Sequence, residues 1–249
     1  MNPVVQNKAV YFVGTSGWTY DHWKGCFYPQ GLSKSHWFDY YASRFAAVEI
    51  NATFYRTFKD QTYLNWKTRA PQGFGYVLKV PKIITHRKFL LDVDAEIKTF
   101  CRSCALLEDH FEMILLQVAP QTPYDLERLR KALLAFDDPG RVAVEFRSAG
   151  WQTPETEQLL CDVGAVYCNV DSPRQKLTSI LTSDLAYLRL HGRKHWYSYN
   201  YPDDELCEVS TLAKNLAQRG ARRIYIFFNN DFGGYAPANA QTLCRMLEQ

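Results

Sequence analysis

Ala47-Val48-Glu49-Ile50-Asn51-Ala52-Thr53-Phe54-Tyr55 reads as a β-strand with two unlike faces. Successive side chains of a strand point to opposite sides, so Val48, Ile50, Ala52 and Phe54 share one face and Glu49, Asn51 and Thr53 the other. Seven further runs read as strands: Val10 to Trp18, Gly75 to Lys82, Met113 to Pro120, Arg141 to Arg147, Ala165 to Ser172, Leu185 to Gly192 and Arg222 to Asp231. The same alternation sets Lys79 opposite Leu78 and Val80, Gln117 opposite Leu116 and Val118, and Glu145 and Arg147 opposite Val144 and Phe146. It sets Asn169 and Asp171 opposite Cys168 and Val170, Arg189 and His191 opposite Leu188 and Leu190, and Asn229 opposite Phe228. A parallel strand covered on both sides should be almost continuously apolar. Here one face turns polar, and it does so late in the strand. Eight such strands closing into a barrel would bring these residues to its C-terminal mouth, where barrels of this kind keep their sites.

Helical patterns fill the spaces between. Ser33 to Phe45 carries Trp37, Phe38, Tyr41 and Phe45 at spacings of three and four behind serines fit to cap a helix. Asp60 to Ala70, Val93 to His110, Pro123 to Phe136, Pro154 to Asp162, Asp204 to Arg219 and Pro237 to Leu247 follow, with Gly220 placed to end one of them. The sixth slot, Pro173 to Asp184, has room for only a turn or two of helix. The expectation is an α/β chain forming a single (β/α)8 TIM barrel over residues 1–249, with an irregular sixth βα unit. A length of 249 residues suits one such barrel, and no Pro/Gly/Ser-rich linker divides it.

Composition narrows the function. A net charge of +3 is too small to imply nucleic-acid binding by itself. No apolar run is long enough to span a membrane, the start lacks the pattern of a signal peptide, and seven scattered cysteines suit free thiols, so a cytoplasmic location is expected. Phosphate-loop, dinucleotide and serine-elbow motifs are absent from the sequence. Cys101 and Cys104 form an isolated CxxC within a helical pattern and read as packing.

The polar strand face carries the candidate chemistry. A lone carboxylate inside a barrel costs several kcal/mol unless it is paired or solvated. Glu49 and Glu145 therefore need partners, and an internal salt bridge to Arg147, Arg189 or Lys79 is one reading of them. The functional reading makes Glu49 and Glu145 the acid and base, His191 a second proton carrier and Asp171 the group that orients it. Lys79, Arg147 and Arg189 would hold an anion, with Asn51, Gln117 and Asn229 at the same depth and Trp18, Tyr20 and Tyr199 as rings around the cleft. Basic residues gather in the following loops: Lys82, His86, Arg87 and Lys88 after the third strand and Arg193, Lys194 and His195 after the seventh. No cofactor is required. With one histidine on the polar face, a divalent metal at the mouth is the weaker alternative.

The strings GTSGWTYDHWKGCFYP (Gly14 to Pro29), VEINATFYR (Val48 to Arg56), LKVPKIITH (Leu78 to His86), VAVEFRSAGW (Val142 to Trp151), YLRLHGR (Tyr187 to Arg193) and FFNNDFGGYAPANA (Phe227 to Ala240) resemble, in this order, the YecE-like family, known as domain of unknown function 72. The resemblance covers nearly the whole chain. It implies a TIM barrel and leaves the activity open. Phe146 and Ser148 depart from the leucine and histidine common around that motif's arginine, while Glu145, Arg147 and Trp151 remain.

Three functional classes follow. The first is an acid/base enzyme acting on a small anionic polar ligand, such as a sugar phosphate or a nucleotide-derived compound. The second is a nucleic-acid-binding protein or nuclease using the basic, aromatic rim on a single strand. The third is a ligand sensor without catalysis. The first expects phosphate or sulfate at Arg147 or Arg189, and it expects Glu145→Gln to move the melting temperature by only a few degrees.

Overall fold

The computed structural model describes residues 9–248. Eight parallel strands run β1 (Val10–Thr15), β2 (Ala47–Ile50), β3 (Gly75–Lys79), β4 (Phe111–Val118), β5 (Val142–Phe146), β6 (Val166–Asp171), β7 (Leu185–Leu190) and β8 (Arg223–Phe228). They hydrogen-bond in the order β1-β8-β7-β6-β5-β4-β3-β2. A single parallel bridge, Ser16 to Glu49, joins the ends into a nearly closed (β/α)8 barrel.

That seam has its own chemistry. A Cβ on Gly14 would lie 2.1 Å from the Ala47 carbonyl oxygen, so only glycine lets β1 approach β2 there. The Tyr41 hydroxyl then bridges what the ladder leaves open. It accepts from the Thr15 N–H at 2.9 Å and donates to the Ala47 carbonyl at 3.1 Å.

Helices α1 (Trp37–Ala42), α2 (Ala52–Tyr55), α3 (Asp60–Arg69), α4 (Asp94–Ala105), α5 (Leu126–Leu134), α6 (Pro154–Val163), α7 (Asp203–Gln218) and α8 (Tyr235–Glu248) surround the strands. Their apolar stripes pack on Val48, Ile50, Leu78, Leu116, Val144, Leu188, Leu190 and Phe228, the outward strand residues. The barrel interior is a separate apolar cluster that includes Phe12, Val77, Met113, Leu115, Ala143, Val166, Tyr187 and Tyr225. At the N-terminal end Glu112 closes the interior, accepting from Tyr225 Oη at 2.6 Å and pairing with Arg223 at 2.7 Å.

Two expectations fail locally. The second strand stops at Ile50 and the chain turns into α2, so Thr53 and Phe54 lie on no strand face. The sixth unit is irregular as expected, with no helix between β6 and β7, but the expected facing of β6 is not kept. An extended segment covers the outside of β6 instead, and it offers backbone polar groups where a helix would offer apolar side chains. The Asn169 amide turns outward to meet Ile180 O at 2.9 Å, Ile180 N at 2.8 Å and Thr178 Oγ1 at 2.7 Å. The parity of β6 is thus inverted, with Cys168 and Val170 inside and Asn169 and Asp171 outside.

Candidate functional site at the barrel mouth

Strand alternation brings Glu49, Lys79, Gln117, Glu145, Arg147, Arg189 and His191 together at the C-terminal end of the barrel. Arg189 lies at the centre and is fully buried. Its Nε donates to Glu49 Oε2 at 2.9 Å, its Nη2 to Glu49 Oε1 at 2.7 Å, and its Nη1 to Glu145 Oε2. Ser16 Oγ donates to Glu49 Oε1 at 2.6 Å, Asn51 Nδ2 to the same oxygen at 3.2 Å, and Tyr187 Oη to Oε2 at 2.7 Å. Both oxygens of Glu49 are therefore saturated. Glu145 accepts from Gln117 Nε2 at 3.0 Å and pairs with Arg147 through Oε1.

Electrostatics fixes the protonation of this set. Burial would raise the Glu145 pKa, but the Arg147 and Arg189 guanidinium groups outweigh it and hold the carboxyl well below its usual range. Burial likewise opposes the Arg189 charge, and Glu145 and Glu49 more than reverse the effect, leaving its pKa well above the usual value. His191 is fully buried, and burial followed by the Arg189 charge pushes its pKa well down, so the ring is neutral. Its Nε2 faces Arg147 Nη2 at 3.3 Å and Arg189 Nη1 at 3.5 Å. Guanidinium groups only donate, so Nε2 is the acceptor and the proton sits on Nδ1. Nδ1 lies 3.1 Å from the Asn229 side-chain amide, whose oxygen must then face the ring.

Lys79 stands apart. It keeps 7% of its surface accessible, and no salt bridge among the described residues includes it. Its Nζ sits 4.4 Å from the centre of the Phe54 ring. Burial, followed by the nearby Arg189 charge, lowers the amine pKa to about 7. A cation–π contact favours the ammonium by about 0.5–2 kcal/mol, less than the roughly 4–5 kcal/mol that so large a shift represents. His86 packs edge-on to Phe54 at 4.9 Å, and its Nδ1 is 2.8 Å from Thr85 Oγ1.

Several sequence assignments need correction. Asp171 does not orient His191: it lies outside the barrel, where its carboxylate accepts from Arg193 Nε at 2.9 Å. Tyr199 is tied by its hydroxyl to Glu205 of α7 at 2.9 Å. The Trp18 ring packs on Phe38 and Trp66 in the helix layer. Tyr20 stays close to the cluster, its hydroxyl donating to Ser16 O at 2.6 Å. Glu49 and Glu145 are both engaged by Arg189, and His191 is neutral and enclosed. The structure also adds members. Trp196 lies under the Arg147 guanidinium at 5.2 Å and beside His191 at 5.4 Å, while Tyr187 and Ser16 complete the shell of Glu49. Tyr187 shares the strand parity of Arg189 and His191, which was the available signal.

Among the described residues no three His, Cys, Asp or Glu side chains gather as a metal-binding group, and no helix is long and apolar enough to cross a membrane.

A (β/α)8 barrel with an ion-paired polar cluster at its C-terminal mouth is the class that fold and site define. The chain belongs to the family described as "Protein of unknown function DUF72", matched over residues 12–249. It is similar to the UPF0759 protein YunF of Bacillus subtilis, 24% identical over 95% of this chain and 94% of that protein. It also resembles the crystal structure of a DUF72 family protein from Thermotoga maritima, with a TM-score of 0.89 and 30% identity over 96% of this chain and 100% of that one. A DUF72 family protein from Enterococcus faecalis shares the fold, with a TM-score of 0.79 and 21% identity over 98% of this chain and 99% of that one.

Proposed function

We propose that this chain is an enzyme that holds a small anionic polar molecule at the barrel mouth, with Arg147 as the anion contact and Lys79 as the acid/base group. A sugar phosphate or a nucleotide-derived compound is the substrate class. The charge count of the mouth carries this reading. Two carboxylates, Glu49 and Glu145, face two guanidinium groups, Arg189 and Arg147, and Lys79 is left without a counter-charge. A buried cation in that position either loses its proton or takes an anion. Arg147, with 17% of its side chain exposed, is the guanidinium that an incoming ligand can still reach, whereas Arg189 has 1% exposed and is committed to both glutamates.

Sulfate tests the idea because its own charge is constant near neutrality. Its affinity should be about tenfold tighter near pH 6 than near pH 8, as Lys79 passes from ammonium to amine. Lys79→Met should remove that pH dependence. Equal sulfate affinity at both pH values, measured by calorimetry, would refute the reading.

A further inference from the structure

Lys79 has more than a charge to offer. An ordinary lysine exposes roughly one free amine in a thousand or fewer at neutral pH, whereas an amine with a pKa of about 7 is half free. A free primary amine is a nucleophile toward carbonyl carbon, and removing it from water strengthens that character. The surroundings match such a reaction. Phe54 walls the amine on one side, and the Gln117 amide reaches the same mouth through Glu145. Asn51 Oδ1 is buried with no hydrogen-bond partner, an acceptor left open beside Glu49. Arg147 supplies the positive group that fixes an anionic substituent.

We infer that Lys79 forms an imine with a small anionic aldehyde or ketone, namely an open-chain sugar phosphate or a 2-oxo acid held through Arg147. This rests on the reading that a small anion occupies the mouth. The Nζ lone pair attacks the carbonyl carbon, the carbonyl π pair moves to oxygen, and that oxygen takes a proton to give a carbinolamine. Nitrogen then gives up a proton, the hydroxyl leaves with a proton as water, and the nitrogen lone pair closes the C=N bond. Amine and carbonyl become imine and water, with no change of oxidation state. The protonated imine is an electron sink, suited to breaking a bond next to the former carbonyl carbon.

The experiment treats the full chain near pH 7 with pyruvate, glyceraldehyde 3-phosphate or neutral glyceraldehyde, each with cyanoborohydride, and maps adducts by peptide mass spectrometry. Lys79 should be labelled by at least one of the two anionic probes about tenfold or more faster than exposed lysines such as Lys98. Arg147→Met should slow labelling by that anionic probe several-fold more than it slows labelling by glyceraldehyde, and equal slowing of both would overturn the role of Arg147 in holding the anionic substituent. Calorimetry of the same two anions separates the two ideas. Binding that Arg147→Met abolishes, with no preferential adduct on Lys79, overturns the imine and leaves the anion-binding reading in place. Neither binding nor adduct overturns both.

Discussion

Lys79 and Glu145 are both buried at the barrel mouth and meet opposite fates. Glu145 has two guanidinium partners and stays charged, while Lys79 has none and is pushed toward neutrality. The consequence for stability has a definite sign. Lys79 titrates near 7 in the folded state and near 10.4 in the unfolded chain, so between those values the unfolded state binds more protons and stability rises with pH. Lys79→Met removes that dependence along with the buried amine. The variant should be more stable than the parent near neutral pH, by a few kcal/mol at most, and its advantage should shrink as pH approaches about 10. Melting curves of both proteins across this range decide it, and a variant less stable at pH 7 would show that the amine is structurally needed. The sequence showed Lys79 and its face plainly, since strand parity is local. It did not show that the glutamates would choose Arg189, because that choice depends on three strands meeting across the barrel.

Among the elements, β6 and the β1–β2 seam mark where local reading ends. Alternation located the inward residues of β2, β3, β4, β5, β7 and β8 because each of these strands has apolar helices on its outside, forcing the polar face inward. β6 has an extended segment there, so Asn169 and Asp171 find partners outside and the parity inverts. Tyr199 misled for a related reason. A loop residue has no parity, and the neighbouring acid Glu205 captured its hydroxyl. The seam relies on Tyr41, whose hydroxyl serves one donor and one acceptor of two strands that share only one bridge. Tyr41→Phe keeps the ring and leaves the Thr15 N–H and the Ala47 carbonyl buried without that partner. Each such loss costs about 1–3 kcal/mol, so the variant should lose roughly 2–6 kcal/mol and melt about 4–24 °C lower. Urea unfolding that matched the parent would mean the seam closes without the bridge.

At the scale of the whole molecule, the barrel carries an apolar interior between two polar ends. The N-terminal end is sealed by Glu112, Arg223 and Tyr225, and the C-terminal end holds the Arg189 cluster. The sequence suggested that Glu145→Gln would move the melting temperature by only a few degrees while abolishing turnover, on the premise that Glu145 serves catalysis at the expense of stability. The structure reverses the thermal part of that expectation. Glu145 is the carboxylate paired with Arg147 and one of two paired with Arg189, and glutamine would turn a neutral amide toward both. Breaking one side of a buried ion pair costs about 3–5 kcal/mol, because the remaining charge is stranded. For a chain of this length Glu145→Gln should lower the melting temperature by roughly 6–20 °C near neutral pH. The pH dependence supplies a second reading. Because the folded carboxyl titrates below its unfolded value of about 4.3, its contribution is fully present above that pH and fades as pH falls through the folded pKa. The gap between parent and variant should therefore be widest at neutral pH and narrow steadily in acid. A gap of only a degree or two at pH 7, or one that fails to narrow in acid, would show that Glu145 is not the carboxylate that holds this end of the barrel together.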